Sequence, residues 1–152
     1  MNFKLWNRVT AFGVFLVSTI VFLRTVAPTI SFWDCGEFIT AAVTMGVPHP
    51  PGAPFFQLVG RMLSLLPLGD LGFRVNLMST FSSSLTVLFV YLVSIRLLRQ
   101  WKGEPQNAMA ALTMLLSAAT GAFILSFSDT FWFNASEAEV YGIGMFFISA
   151  IV

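Results

Sequence analysis

Three long apolar runs, at residues 9–27, 75–98 and 108–127, constrain this chain more than any other feature of its sequence. A helix that crosses a bilayer needs roughly 20 mainly apolar residues, and each run meets that length. Arg24 lies near the end of the first run and Arg96 in the last turn of the second, while the third carries no charge. A fourth apolar stretch begins near Tyr141 and reaches Val152. At about 1.5 Å per residue it extends only about 18 Å, short of a hydrocarbon core about 30 Å thick. The expectation is an all-α integral membrane unit over residues 1–152. It has three complete spans, an incomplete one at 141–152, and the standing of an amino-terminal piece of a larger or truncated protein.

Composition agrees. Charged residues make up 10% of the chain, whereas a soluble domain carries about a quarter, enough to cover itself with polar surface. Lys4 and Arg8 precede the first run as in a secretory signal, but no small-x-small cleavage site follows at Thr25–Thr29. An uncleaved signal anchor fits better.

Charge sets an orientation. Lys4, Arg8, Arg96, Arg99 and Lys102 fall on one side of the spans, and every acidic residue except Glu104 falls on the other. Basic short loops stay in the cytoplasm, so the amino terminus is cytoplasmic and loop 28–74 faces outward. Trp6 and Trp101 sit at cytoplasmic ends, and Trp33 and Trp132 at outer ends, where indole rings favour the headgroup level.

The outer loop contains two helical patterns. Over 34–46, Asp34, Glu37, Thr40 and Thr44 share a stripe opposite Phe38, Ile39, Ala42 and Met45. The prolines of 48–54 then exclude a helix, since each removes a donor and restricts the residue before it. Over 55–66, Gln57, Arg61 and Ser64 stand opposite Phe56, Leu58, Val59, Met62 and Leu66. Two interfacial amphipathic helices satisfy this pattern, with a re-entrant segment at 55–66 as the alternative.

Several polar residues admit two readings. Ser31 to Asp34 has the spacing of a capping box, with the carboxylate favoured at a helix start. That leaves Glu37, one turn later, unexplained, and two carboxylates near a low-dielectric boundary repel unless partnered. Asn134 with Glu137, and Ser136 with Glu139, repeat the capping spacing, yet only one pair can cap a given start. Asn134-Ala135-Ser136 is also a glycosylation sequon, given little weight so close to the membrane. His49 is either a turn residue or a donor to a phosphate or hydroxyl. Arg24 either snorkels to the headgroups or binds phosphate, and Arg61 and Arg74 are weaker versions of the same choice. Cys35 is the sole cysteine, so no internal disulfide forms. No P-loop, dinucleotide fingerprint, zinc spacing or serine elbow occurs, and a net charge of +1 gives no basis for nucleic-acid binding.

Residues 27–38 (APTISFWDCGEF), 46–54 (GVPHPPGAP) and 131–141 (FWFNASEAEVY) resemble a bacterial multi-pass membrane family described as protein O-mannosyltransferase-like. It is grouped with the GT-C glycosyltransferases, enzymes that use polyprenyl-phosphate-linked sugars. The resemblance implies a GT-C-like amino-terminal portion in the bacterial inner membrane. It implies inverting transfer of a sugar to a protein hydroxyl on the non-cytoplasmic face. Asp34 matches the family's acidic position after the first span, and His49-Pro50-Pro51 its His-Pro-Pro element. Glu37 departs from the adjacent acidic pair of the mannosyltransferases, which leaves open which carboxylate does the chemistry. On this resemblance Asp34 is the base and Glu37 holds acceptor or sugar hydroxyls. Arg24 and His49 meet the departing phosphate, Glu137 and Glu139 close the opposite wall, and Arg61 and Tyr141 join the substrate-binding set. No cofactor and no essential metal are expected, although an acidic cluster can bind one. The 152 residues alone are expected to be inactive. The competing expectations are a segment of a transporter or channel, which needs charges or breaks at mid-membrane depth, and a non-catalytic subunit of a membrane complex.

Overall fold

The computed structural model describes residues 2–50 and 52–152. Seven helices follow in chain order: α1 (Phe3–Thr25), α2 (Cys35–Thr44), α3 (Pro54–Ser64), α4 (Leu71–Lys102), α5 (Ala108–Ser126), α6 (Asp129–Ser136) and α7 (Val140–Ile151), with no strand among the described residues. Helices α1, α4 and α5 are long and apolar enough to cross a membrane. Each extends or trims its apolar run to reach a cap. The side chains of Asn2, Asp70 and Asn107 accept from the backbone N–H groups of Leu5, Gly72 and Ala110, which satisfies donors that a helix start leaves unpaired. Asp70 consequently has its carboxyl below the usual range, chiefly through the Gly72 N–H.

Helix α4 is the mast of the molecule and packs on all six others. With α1 and α5 it forms a core that includes Val14, Phe22, Val87, Tyr91, Leu115 and Ala118. The opposite faces of α1 and α5 leave Phe12, Ile20, Met109 and Ile124 exposed, a pattern suited to lipid rather than water. Polar groups inside this bundle pair with one another: Tyr91 donates to the Asn7 side chain at 2.8 Å and Ser126 to Ser18 at 3.2 Å.

The amino-terminal half of α4 is rich in polar residues. Asn76, Ser79, Thr80, Ser83 and Ser84 are all buried there. The Asn76 amide donates to the carbonyls of Ala27 and Thr29 at 2.9 and 3.0 Å, and Thr80 donates to that of Ala135 at 2.9 Å. These bonds tie the turn after α1 and the last turn of α6 to α4, pairing carbonyls that lack helical partners. Small residues bring α7 close: a Cβ on Gly142 would lie 3.2 Å from Ser83 Oγ and 3.3 Å from Ser79 Cα, the close approach that small side chains permit between helices. Helix α7 has 12 residues and falls below the length of the three candidate spans.

Two expectations change. Residues 129–136 form a helix rather than a capped loop. Asn134 and Ser136 lie inside it, donating to the carbonyls of Thr130 and Trp132, so neither serves as the N-cap that the spacing suggested. Helix α3 buries the polar Gln57 and Ser64 together with Phe56, while Leu58, Met62 and Leu65 are exposed. Its start lies beside the third turn of α7, where the Phe55 and Phe147 rings meet edge to face at 5.3 Å.

Candidate functional site

Helix α2 begins at Cys35, with Asp34 in the N-cap position but making no capping hydrogen bond. Its carboxylate is therefore not consumed by the helix, which overturns the capping-box expectation. Phe38, Ile39 and Ala42 pack inward with Phe56, Val75 and Ala138. The helical repeat then turns Glu37, Thr40 and Thr44 outward. A Cβ on Gly60 would come within 2.9 Å of Ala42 Cβ, so glycine there lets α3 press against α2. Arg61 fastens the pair by donating to the Val43 carbonyl at 2.9 Å. Arg74 similarly holds the carbonyls of Ser64, Leu68 and Gly69. Both arginines act on backbone here rather than on an open site.

The turn after α2 folds His49 back onto Glu37. Glu37 Oε1 accepts from the His49 backbone N–H at 2.6 Å, and Oε2 lies 2.9 Å from Nδ1. The imidazole bond, then the backbone N–H, lower the Glu37 carboxyl below its usual range. The same carboxylate raises His49, with further support from Asp34 and Glu139. His49 also packs on the Phe38 ring at 5.5 Å. Pro51, the last residue of the His-Pro-Pro element, lies outside the described residues.

Across from this pair stand two buried carboxyl groups. Glu137 follows α6 and is 2% exposed, with Oε1 lacking a partner among the described residues. Glu139 precedes α7 and is 7% exposed. Burial, then Glu137, then Asp34 push its carboxyl up to about 7. A single hydroxyl sets its backbone: Ser79 Oγ accepts from the Glu139 N–H and donates to its carbonyl, both at 3.2 Å. The structure thus gathers Asp34, Glu37, His49, Glu137 and Glu139 near the amino-terminal end of α4. Ligand atoms of Asp34, Glu37 and His49 all lie within 4.8 Å of one another, a donor set that can hold a hard cation, although His49 already engages both Glu37 oxygens.

Two expected members stand elsewhere. Arg24 is exposed near the end of α1 and makes no ion pair or hydrogen bond among the described residues. Tyr141 is 65% exposed and lines a groove with Ser83, Phe131 and Asn134 that none of the carboxylates lines. Sequence reasoning missed Asn76 and Ser79, which place the loops carrying the carboxyl groups. Their signal was present: hydroxyl and amide side chains recur at 76, 79, 80 and 83 in an otherwise apolar run, and such residues inside a span mark helix–helix or backbone pairing.

Carboxyl groups and a histidine gathered at one end of an apolar helical bundle, with three helices long and apolar enough to cross a membrane, define a class, the multi-pass membrane proteins. The particular family follows from comparison with known proteins. Residues 34–152 match the family described as Protein O-mannosyl-transferase TMEM260 N-terminal domain, and the chain belongs to it. Over 143 residues it is 29% identical to Protein O-mannosyl-transferase tmem260 of Dictyostelium discoideum, covering 91% of this chain and 16% of that protein. Over 141 residues it is 29% identical to Protein O-mannosyl-transferase TMEM260 of Mus musculus, covering 92% and 18%. The chain therefore spans less than a fifth of the length of these curated relatives. No solved structure matches it.

Proposed function

We propose that this chain forms the amino-terminal part of a GT-C-type protein O-mannosyltransferase that takes its sugar from a polyprenyl phosphate. The observation that carries the reading is the convergence of Asp34, the Glu37–His49 pair, Glu137 and Glu139 at one end of α4. The printed names of the two relatives support the reaction class.

In this reading the oxygen of an acceptor serine or threonine attacks the anomeric carbon of the sugar. The bond from that carbon to the phosphate oxygen breaks, polyprenyl phosphate departs, and the configuration inverts. Asp34, exposed and unused by the helix, takes the hydroxyl proton; a positioned carboxylate is suited to that role. Glu37 fixes the His49 imidazolium, whose remaining N–H can stabilise charge developing on the phosphate. Glu139, largely protonated below neutral pH, and Glu137 form the opposite wall and donate to or accept from sugar hydroxyls. Arg24 serves as a cation at headgroup depth. In the same proposal α2 and α3 are interfacial, with the apolar face of α3 toward lipid, and α7 is part of a fourth span. The amino terminus is cytoplasmic and the site faces the outside of a bacterial inner membrane. A transport pathway gains no support, because the polar side chains of outer α4 bond to local backbone and loops.

The test supplies the purified full-length protein, in lipid nanodiscs, with mannosyl polyprenyl phosphate and hydroxyl-bearing peptides. Transfer with inversion is expected, lost in Asp34→Asn. Absence of transfer by the wild type ends the proposal, and undiminished transfer by Asp34→Asn ends the assignment of the base.

A further inference from the structure

We infer that a groove beside the carboxylate cluster seats the main chain of the acceptor polypeptide, with the Gln57 side chain as its anchor. The inference rests on the transferase reading above and adds a site to it. Gln57 is 4% exposed, yet neither its Nε2 nor its Oε1 has a partner among the described residues. Leaving a buried donor or acceptor unsatisfied carries the full desolvation penalty of that group, so the amide is a standing cost to the fold until something pairs with it. It lines a groove of about 410 Å³ together with Met45, Val47, Pro48, Ala53 and Pro54. A second groove of about 410 Å³ is lined by Glu37, Thr40 and Thr44. Both are bounded by Gly46 and Val47, so they meet there, one lined by Glu37 and the other by Gln57, whose amide lies just beneath the groove wall.

The chemistry of the anchor selects the occupant. A carboxamide presents an acceptor oxygen and donor N–H groups in one plane, the complement of a peptide group. A phosphate would use only the donor, and a hydrocarbon tail neither. A sugar has hydroxyls for both atoms but gains most from stacking on an aromatic face, and no aromatic residue lines the Gln57 groove. Its apolar walls suit the side chains that flank an acceptor hydroxyl. An extended segment crossing Gly46 and Val47 would place its hydroxyl at the carboxylates and a neighbouring main-chain amide on Gln57.

The experiment uses the full-length protein and a library of short peptides, each with one threonine and randomised flanks, in parallel with peptides N-methylated at single positions. Methylation at one fixed distance from the threonine should raise the peptide KM about tenfold, the loss of roughly one hydrogen bond, while other positions are neutral. Gln57→Met should raise the peptide KM similarly, leave the KM for the lipid-linked sugar unchanged, and abolish the penalty at the sensitive position. If no position is sensitive, the inference fails even should the variant not fold. If Gln57→Met raises the donor KM instead, the groove belongs to the sugar. No transfer by the wild type to any peptide would overturn the transferase reading itself, a separate outcome.

Discussion

Helices α2 and α3 are neighbours of similar length that share a core through Phe38, Ile39, Ala42 and Phe56, but they expose different chemistry. Helix α2 buries Phe38, Ile39 and Ala42 and exposes Glu37, Thr40 and Thr44; α3 buries Gln57 and Ser64 and exposes Leu58, Met62 and Leu65. Polar residues are stable outward only in water, and apolar ones outward only against lipid or protein. In the proposed placement the pair marks a boundary within a few residues of chain: the carboxylate stripe meets the aqueous side, and the adjoining helix meets an apolar phase. A site with that arrangement can face a hydrophilic acceptor and a lipid-linked donor at once.

If α2 carries the chemistry and α3 only its setting, Asp34→Asn should lower kcat about a thousandfold, the range for loss of a general base, whereas Leu58→Ala should leave kcat unchanged. Steady-state transfer rates decide it, and equal losses would erase the distinction.

The Glu139 carboxyl supplies the next effect. Its folded value of about 7 lies above the ordinary carboxyl range. The folded protein therefore binds the extra proton between the two values, and stability falls as pH rises from about 4.5 to about 7, levelling off above. The total is about 3 kcal/mol. Thermal denaturation across that window should show the slope for the wild type and a flatter profile for Glu139→Gln.

Charge on the outer face of α3 should cost less but remain measurable. Met62→Lys is expected to destabilise the protein in a bilayer by about 1–3 kcal/mol, since a lysine pays for leaving water. Thr40→Lys on α2 should change stability by no more than about 0.5 kcal/mol, as for an ordinary surface substitution. Paired denaturation curves in nanodiscs give both values, and equal costs would place the two helices in one medium.

The spans were legible because length and apolarity report directly on the bilayer, and the stripe of α2 because helical repeat alone sorts Glu37 and Thr40 from Phe38 and Ile39. The Glu37–His49 bond was not, since it depends on how a proline-rich turn folds back across twelve residues. Nor was the hold of Ser79 on Glu139, made between residues 60 apart. Helix α6 stayed hidden behind capping signals whose donors point back into its own turns. The burial of Gln57 and Ser64 beside Phe56 in α3 was masked by the habit of assigning polar residues to the outside.

The central proposal is that an aqueous acidic site and a lipid-facing helix stand side by side on the outer surface. Thiol labelling tests it most directly, because Cys35 is the sole cysteine and is buried. Thr40→Cys and Leu58→Cys would be expressed in sealed, intact cells and treated from outside with a membrane-impermeant maleimide. The account predicts rapid labelling at position 40 and protection at position 58 until detergent removes the lipid. Protection at 40 with labelling at 58, or labelling of either only after the cytoplasm is opened, would contradict it.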